Sequence, residues 1–180
     1  MKDFPQLDTS RLRLRRIQID DIPSLVKYAN NKKISDLILN LPYPYQEFDA
    51  VLRIRYVHEG FKARTRYIFA IVLKKTGEFI GEISLHLDNQ KSVAELAYWI
   101  GEPLWKNGYV TEAINEILAF GFKTLNLDLI LATCKQDNMA SVRVLEKNGL
   151  QKSEPAGSIV EYTIKKQEYI YKLNGKQNAQ

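Results

Sequence analysis

The stretch from Ala94 to Ala113, A-E-L-A-Y-W-I-G-E-P-L-W-K-N-G-Y-V-T-E-A, restricts the fold more than any other part of this chain. It reads as an apolar strand from Glu95 to Ile100, a short loop from Gly101 to Gly108, and a helix opening near Tyr109. Val110, Ala113, Ile114, Ile117, Leu118 and Gly121 recur at helical spacing, with Asn115 and Glu116 between them. Gly108 supplies positive φ or close backbone approach where the loop meets the helix. Such a junction leaves backbone N–H groups pointing outward, and the helix dipole adds roughly half a positive charge. Its natural guest is a phosphate or a pyrophosphate. The loop is not a P-loop, because no Gly-Lys-Ser/Thr follows it, and Gly101 and Gly108 do not space as a dinucleotide fingerprint. A lone glycine before a helix is also an ordinary turn, and these residues alone leave both readings open.

At 180 residues the chain is expected to form a single domain, long enough to bury a core without staples. One cysteine, Cys134, excludes an internal disulfide and fits a reducing, cytoplasmic setting. It lies in the apolar run Leu129 to Cys134, where it reads as a small buried hydrophobe. The opening Met1-Lys2-Asp3-Phe4-Pro5 does not read as a signal peptide, and no apolar run approaches the ~20 residues of a membrane span. His58 and His86 lie in no motif with Cys134, so it is not read as a catalytic thiol, and no metal is expected. A net charge of +5 is compatible with an anionic cofactor but is no argument for nucleic acid. Arg11, Arg13 and Arg15 alternate with Leu12 and Leu14, which makes them a solvated strand face.

In chain order, Leu12, Leu14 and Ile17 mark a first strand. Asp20-Asp21-Ile22-Pro23 opens a helix that Asn30-Asn31-Lys32-Lys33 breaks in two. Leu41-Pro42-Tyr43-Pro44-Tyr45 is an extended loop, followed by a helix from about Gln46 to Phe61. Strands at Arg66 to Leu73, Phe79 to Leu87 and Val93 to Ile100 form a meander, separated by turns at Lys74–Glu78 and Asp88–Lys91. The helix behind Gly108 runs to about Thr124. A strand at Leu129 to Cys134, a helix from Asn138 to Asn148 stopped by Gly149, and closing strands near Leu150 to Ser153 and Val160 to Leu173 complete the chain. Residues 174–180 read as a flexible tail. The order is β-α-α-β-β-β-α-β-α-β-β, an α+β class with an antiparallel meander and one parallel crossover.

Two motifs now resemble a known family. They are A-E-L-A-Y-W-I-G followed by Trp105-Lys106-Asn107-Gly108-Tyr109-Val110-Thr111-Glu112-Ala113, and Asn138-Met139-Ala140-Ser141-Val142-Arg143-Val144-Leu145-Glu146-Lys147-Asn148-Gly149-Leu150. Together they resemble the GNAT acetyltransferases, and within them the RimJ/RimL branch that acetylates ribosomal-protein N-termini. The resemblance runs from about Arg11 to Leu173. It implies a GNAT-type mixed, mostly antiparallel sheet of about seven strands, flanked by about four helices and splayed between residues 94–100 and 129–134. Acetyl-CoA is the implied co-substrate. Tyr98, Trp99 and Ile100 would line its pantetheine arm, with the backbone of Tyr98 and Ile100 pairing to it. The amides of Trp105, Lys106, Asn107, Gly108, Tyr109, Val110 and Thr111 would hold the pyrophosphate, and Asn138 would bond the pantetheine or adenosine side. The loop departs from the family's Q/R-x-x-G-x-G/A in carrying Trp105 first and Val110 last. Leu145 occupies a slot that is often a tyrosine acid.

The implied acceptor is a primary amine, foremost the α-amine of a protein or peptide. The alternatives are a small-molecule amine such as a polyamine or antibiotic, or a module that binds acyl-CoA without transfer. An α-amine is about one-tenth neutral at pH 7, whereas a lysine is neutral about once in two thousand molecules. A weak base therefore suffices for the first. The resemblance nominates Ser141 as the acid for the leaving thiolate and Glu161, ahead of Tyr162, as base. Glu95 on the central strand is a further base candidate, and Glu82 on its neighbour another. Tyr43, Tyr45 and Phe61 are expected near the acceptor mouth or as cover over the sheet. The assembly is expected to be a monomer or homodimer.

Overall fold

The computed structural model describes residues 3–38, 40–153 and 157–177. Eight strands form one sheet, in the spatial order β1-β2-β3-β4-β5-β6-β8-β7. They are β1 (Leu7–Asp8), β2 (Leu12–Arg15), β3 (Arg66–Leu73), β4 (Phe79–Leu87), β5 (Val93–Ile100), β6 (Leu129–Lys135), β7 (Gln151–Lys152) and β8 (Ile159–Lys165). All neighbours pair antiparallel except β5 and β6, which run parallel. Among the described residues the six α-helices are α1 (Ile22–Ala29), α2 (Lys32–Ser35), α3 (Glu47–Lys62), α4 (Tyr109–Ala119), α5 (Met139–Lys147) and α6 (Lys166–Gln177). The fold is thus a mixed α/β architecture with an open, mostly antiparallel sheet, of the kind the resemblance implies.

Each sheet face carries its own core. Leu12, Leu14, Phe69, Ile71, Ile83, Leu85, Leu96 and Ile130 pack against Ala113, Ile114, Ile117 and Leu118 of α4, Leu145 of α5 and Tyr169 of α6. Ile68, Ala70, Val72 and Trp99 face the other way, onto Leu25 and Tyr28 of α1, Ile34 of α2 and Ala50 and Val57 of α3. The two are called here the α4 face and the α3 face. Along β5, Ala94, Leu96, Tyr98 and Ile100 belong to the α4 face and Trp99 to the α3 face, as the two-residue period of a strand requires. α4 does not end sharply: residues 120–124 continue it as a π-helical turn that buries Phe120 and Phe122.

The C-terminal region departs from the sequence expectation. Instead of a strand running from Val160 to Leu173, alternation stops at Lys165 and α6 begins. Glu168 accepts from the Lys165 amide at 2.8 Å, the kind of side-chain acceptor that frees a chain from a sheet edge and starts a helix. Tyr169 then packs on Phe122, ring centroids 4.9 Å apart. The helix continues through Gln177, so the expected loose tail is helical to that point; residues 178–180 lie outside the described residues. β1 and the four-residue helix α2 also raise the counts above those expected. Among the described residues no helix is long and apolar enough to cross a membrane.

The arginines of β2 are not a uniformly solvated face. Arg15 makes two 2.7 Å bonds to the buried Asp21, Arg13 pairs with Asp8, and Arg11 reaches α4.

Candidate active site

β5 and β6 pair only at Val93–Leu129, Ala94–Ile130 and Glu95–Leu131. Beyond Glu95 the strands separate, while β5 stays paired to β4 up to Ile100 and β6 stays paired to β8 up to Lys135. The result is a wedge in the middle of the sheet, with one free strand edge on each wall. The Gly101 amide donates to the Ile80 carbonyl at 2.9 Å. Antiparallel alternation carried back from that bond turns the main-chain groups of Ala97 and Trp99 toward β4, and those of Leu96, Tyr98 and Ile100 into the wedge. Tyr98 therefore offers an open pairing edge, and Ile100 offers its amide, its carbonyl being held by Trp105 Nε1. Trp99 does not: its ring lies in the α3-face core beside Phe79, and its main chain faces β4.

The loop at the open end of β5 turns its carbonyls away from the wedge. Trp105 Nε1 donates to the Ile100 carbonyl at 2.8 Å. Asn107 Nδ2 donates to the Leu104 and Trp105 carbonyls, both at 3.1 Å. Arg11 Nη1 donates to the Asn107 carbonyl at 3.0 Å, and the Glu112 amide to the Gly108 carbonyl at 3.1 Å. Lys106 and Gly108 both sit in the left-handed region, φ 64° and 77°, so the peptides on either side of Asn107 are reversed. No main-chain carbonyl among the described residues takes the amides of Lys106, Asn107, Gly108, Tyr109, Val110 or Thr111. Six consecutive free donors at a helix N-terminus, in a left-handed nest, form an anion cradle. Trp105 lies just before this run, and its own amide is already bonded to the Glu102 carbonyl. The departures at Trp105 and Val110 fit without distortion: Trp105 braces the strand end and Val110 packs against the α4-face core.

On the α4 face of the wedge two hydroxyls meet. Ser141 sits in the first turn of α5, its amide bonded to Asn138 Oδ1 at 3.2 Å, so Asn138 caps the helix. Burial pushes the Tyr98 phenol up to about 12, against the influence of the adjacent Ser141 hydroxyl; the phenol stays protonated at neutral pH and finds no hydrogen-bond partner within bonding geometry. Cys134 lies close by, and burial raises its thiol as well. Leu145 is a core residue, 1% exposed; a phenol still reaches this side of the wedge, from β5 rather than from α5. Sequence reasoning missed it because Tyr98 drew attention only for its backbone.

The α3 face carries the carboxylates. Glu95 and Glu161 both lie on this side, opposite the core-facing Ala94, Leu96, Val160 and Tyr162. Thr133 stands between them: it donates to Glu95 Oε1 at 3.1 Å and is the cross-strand partner of Glu161. The two base candidates thus share one floor with the open edge of the wedge. On the neighbouring strand, Glu82 is 2% exposed and held by Arg53 of α3 at 3.0 and 2.5 Å. It serves as a buried counter-ion and not as an accessible base. Tyr45 is buried beside this pair; burial and then the Glu82 charge raise its phenol against the opposing effect of Arg53, while Tyr43 is exposed. Phe61 packs on Phe4 and Tyr67, away from the floor. His86, which carried no sequence signal, lies level with Glu95 on β5 and Arg66 on β3. Its ring contacts Ser84 Oγ at 3.0 Å, and burial, with Arg53 and Arg66 close by, lowers its pKa despite Glu95 and Glu82. Lys135 bridges from β6 to the Asp36 carbonyl at 2.9 Å, so the segment after α2 walls the floor. Among the described residues no group of three His, Cys, Asp or Glu is placed to hold a metal.

Comparison with known proteins gives this arrangement a context. The model of a family described as the acetyltransferase (GNAT) domain matches residues 11–151. An uncharacterized N-acetyltransferase of Bacillus subtilis, YoaA, is 31% identical over 154 residues, which is 83% of this chain and 84% of that protein. Among solved structures, Mycobacterium smegmatis RimJ in complex with CoA-disulfide superposes with a TM-score of 0.82 at 17% identity, over 97% of this chain and 95% of that one. The ribosomal-protein-S5-alanine acetyltransferase of Vibrio fischeri superposes with a TM-score of 0.79 at 18% identity, over 92% and 98%. At these identities the structural likeness is one of fold.

Proposed function

The chain belongs to the GNAT acetyltransferase family, and we propose that it moves the acetyl group of acetyl-CoA onto a primary amine, foremost the α-amine of a protein or peptide, as a RimJ/RimL-type enzyme. The observation that carries this reading is the wedge beyond Glu95 and Leu131 opening directly beside six unpaired amides. One site offers a strand edge for an extended amide-bearing arm, and the other offers donors for a diphosphate. Coenzyme A has both parts. The Tyr98 main chain and the Ile100 amide would take the arm, the amides of 106–111 the diphosphate, and the free Nδ2 of Asn138 a polar group along the arm. Lys106, exposed beside the nest, would add a charge-assisted contact.

The two faces divide the chemistry. An amine reaching the floor gives up a proton to Glu95 or Glu161, directly or through water. Its nitrogen bonds to the acetyl carbon, the carbon–sulfur bond breaks, the departing thiolate takes a proton from Ser141 or Tyr98 on the opposite face, and the second proton that the nitrogen sheds as the amide forms returns that hydroxyl to its neutral form. Thr133 keeps Glu95 oriented. Holding amine and thioester together is the largest contribution, up to ~7–11 kcal/mol in favourable cases.

The charge of the floor supports a singly charged acceptor. Glu82, Glu95 and Glu161 are matched by Arg53, Arg66 and Lys135 on the same face. A balanced floor has no excess of carboxylates to hold a polycation, which disfavours the polyamine reading. The Vibrio fischeri protein is named for a ribosomal-protein alanine acceptor, and the α-amine reading agrees with that name. A panel of N-terminal peptides, polyamines and aminoglycosides incubated with acetyl-CoA and scored by mass tests the proposal. A mass gain of one acetyl on peptide α-amines is expected. Acetylation of only small polycations would replace the acceptor class, and coenzyme A binding without transfer to any amine would leave a binding module.

A further inference from the structure

Arg11 lies outside both motifs and nearly a hundred residues before the anion loop, yet its guanidinium is built into it. Nη1 holds the Asn107 carbonyl at 3.0 Å. Nε bonds Glu112 Oε2 at 2.7 Å, and the plane lies over the Tyr109 ring at 4.6 Å. Nη2 approaches to 3.6 Å of the point where a Cβ on Gly108 would stand. The rest of the β1–β2 turn joins in: the Thr9 and Ser10 hydroxyls and the Arg11 amide all donate to Glu112 Oε1, at 2.5, 3.0 and 2.8 Å. Every one of these contacts is to residues 107–112, the segment that presents the free amides.

Two physical consequences follow. First, among the described residues the Asn107 carbonyl is the one loop carbonyl whose partner comes from the distant β1–β2 turn. If that peptide flipped, an oxygen would face the anion and a donor would be lost. Second, Glu112 places a full negative charge in the first turn of α4, on the same guanidinium that holds the Asn107 carbonyl, and this opposes anion binding. The Arg11 guanidinium neutralises that charge while fixing the peptide. We infer that Arg11 is a positioning residue for the diphosphate: it locks the Asn107–Gly108 peptide in its donor-inward orientation and pairs the Glu112 carboxylate that would otherwise repel the ligand. The inference rests on the reading of the 106–111 amides as the diphosphate cradle.

The test measures binding of CoA, 3′-dephospho-CoA and pantetheine to the full chain, by calorimetry for the first two and by NMR titration for the third. Arg11→Gln is expected to weaken CoA and 3′-dephospho-CoA by the same factor, tenfold or more, because both carry the diphosphate. Pantetheine, which lacks it, should move less than twofold. Arg11→Lys keeps the charge but cannot hold the Asn107 carbonyl, Glu112 and the Tyr109 ring together, and should lose at least half of the effect on a logarithmic scale. Equal weakening of all three ligands means a general loss of structure and overturns the inference. So does no weakening, a loss confined to CoA, or full rescue by lysine. A thermal melt of each variant separates misfolding from repositioning. Should the parent protein itself show no preference for CoA over pantetheine, the cradle reading fails, and with it the premise; that result is distinct from all the variant outcomes.

Discussion

Replacing Glu112 with glutamine tests how the N-terminal hairpin is fastened to α4. Burial pushes this carboxyl up, but hydrogen bonds from Thr9, the Arg11 amide, the Arg11 guanidinium and Ser10 outweigh it and hold the group at about 2, against an ordinary 4.5. A displacement of that size corresponds to about 3 kcal/mol of folding stability at neutral pH. The Glu112 side chain is 16% exposed but its Arg11 partner is 48% exposed, so solvent screening brings the expectation to about 2 kcal/mol. The sign is set by the depressed value in the folded protein. The stabilisation is complete above pH 4.5 and is lost as pH falls through about 2. Glu112→Gln keeps one acceptor oxygen but no charge. Urea unfolding followed by tryptophan fluorescence should therefore give a variant about 2 kcal/mol weaker at pH 7, with an unchanged m-value. At pH 3 the gap should shrink to about half or less. A gap under about 0.5 kcal/mol, or one that stays constant between pH 7 and pH 3, would refute the charge-anchored hairpin.

Further changes probe the wedge. Gly108→Ala adds a methyl group in open space, with only Arg11 Nη2 within 4 Å, so its cost is backbone strain at φ 77°, about 1 kcal/mol, measured by urea unfolding; CoA affinity should fall with it. Of Tyr98→Phe and Ser141→Ala, the one that removes the acid should lower kcat by about 100-fold or more with little change in the KM for acetyl-CoA, read in a thiol-release assay; the one that leaves kcat intact is not the acid. Glu95→Gln and Glu161→Gln should each lower kcat/KM at pH 7, and the loss for the true base should shrink toward pH 9, where an α-amine is already neutral. A loss that is constant over that range would assign the carboxylate to acceptor binding.

Much of this architecture was legible because short-range patterns decide it. β3, β4 and β5 are apolar runs bounded by Lys74–Glu78 and Asp88–Lys91, and their limits match the sequence expectation. The Gly108 junction was readable as an anion turn because left-handed backbone before a helix has few residue solutions. What escaped notice depended on contacts between distant residues. Glu95 could not be assigned a face until the register put Ala94 and Leu96 in the core. Arg11 and Glu112 are 101 residues apart, and an arginine alternating with leucines gives no sign of its partner. The Tyr98 phenol needed Ser141 brought beside it by the β6–α5 crossover. α6 reads as strand from the sequence because Ile170 falls in phase with Val160, Tyr162 and Ile164, although the period has already changed at Lys166.

The claim on which the rest depends is that the wedge and the amides of 106–111 form one ligand site. The direct measurement is an amide-resolved NMR titration with coenzyme A. The predicted result is saturable shifts largest at Lys106 to Thr111 together with Tyr98 and Ile100, all following a single binding curve. Shifts confined to another region, such as the groove that Gln151, Gln167 and Tyr171 line beside α6, with the loop amides unmoved, would contradict it.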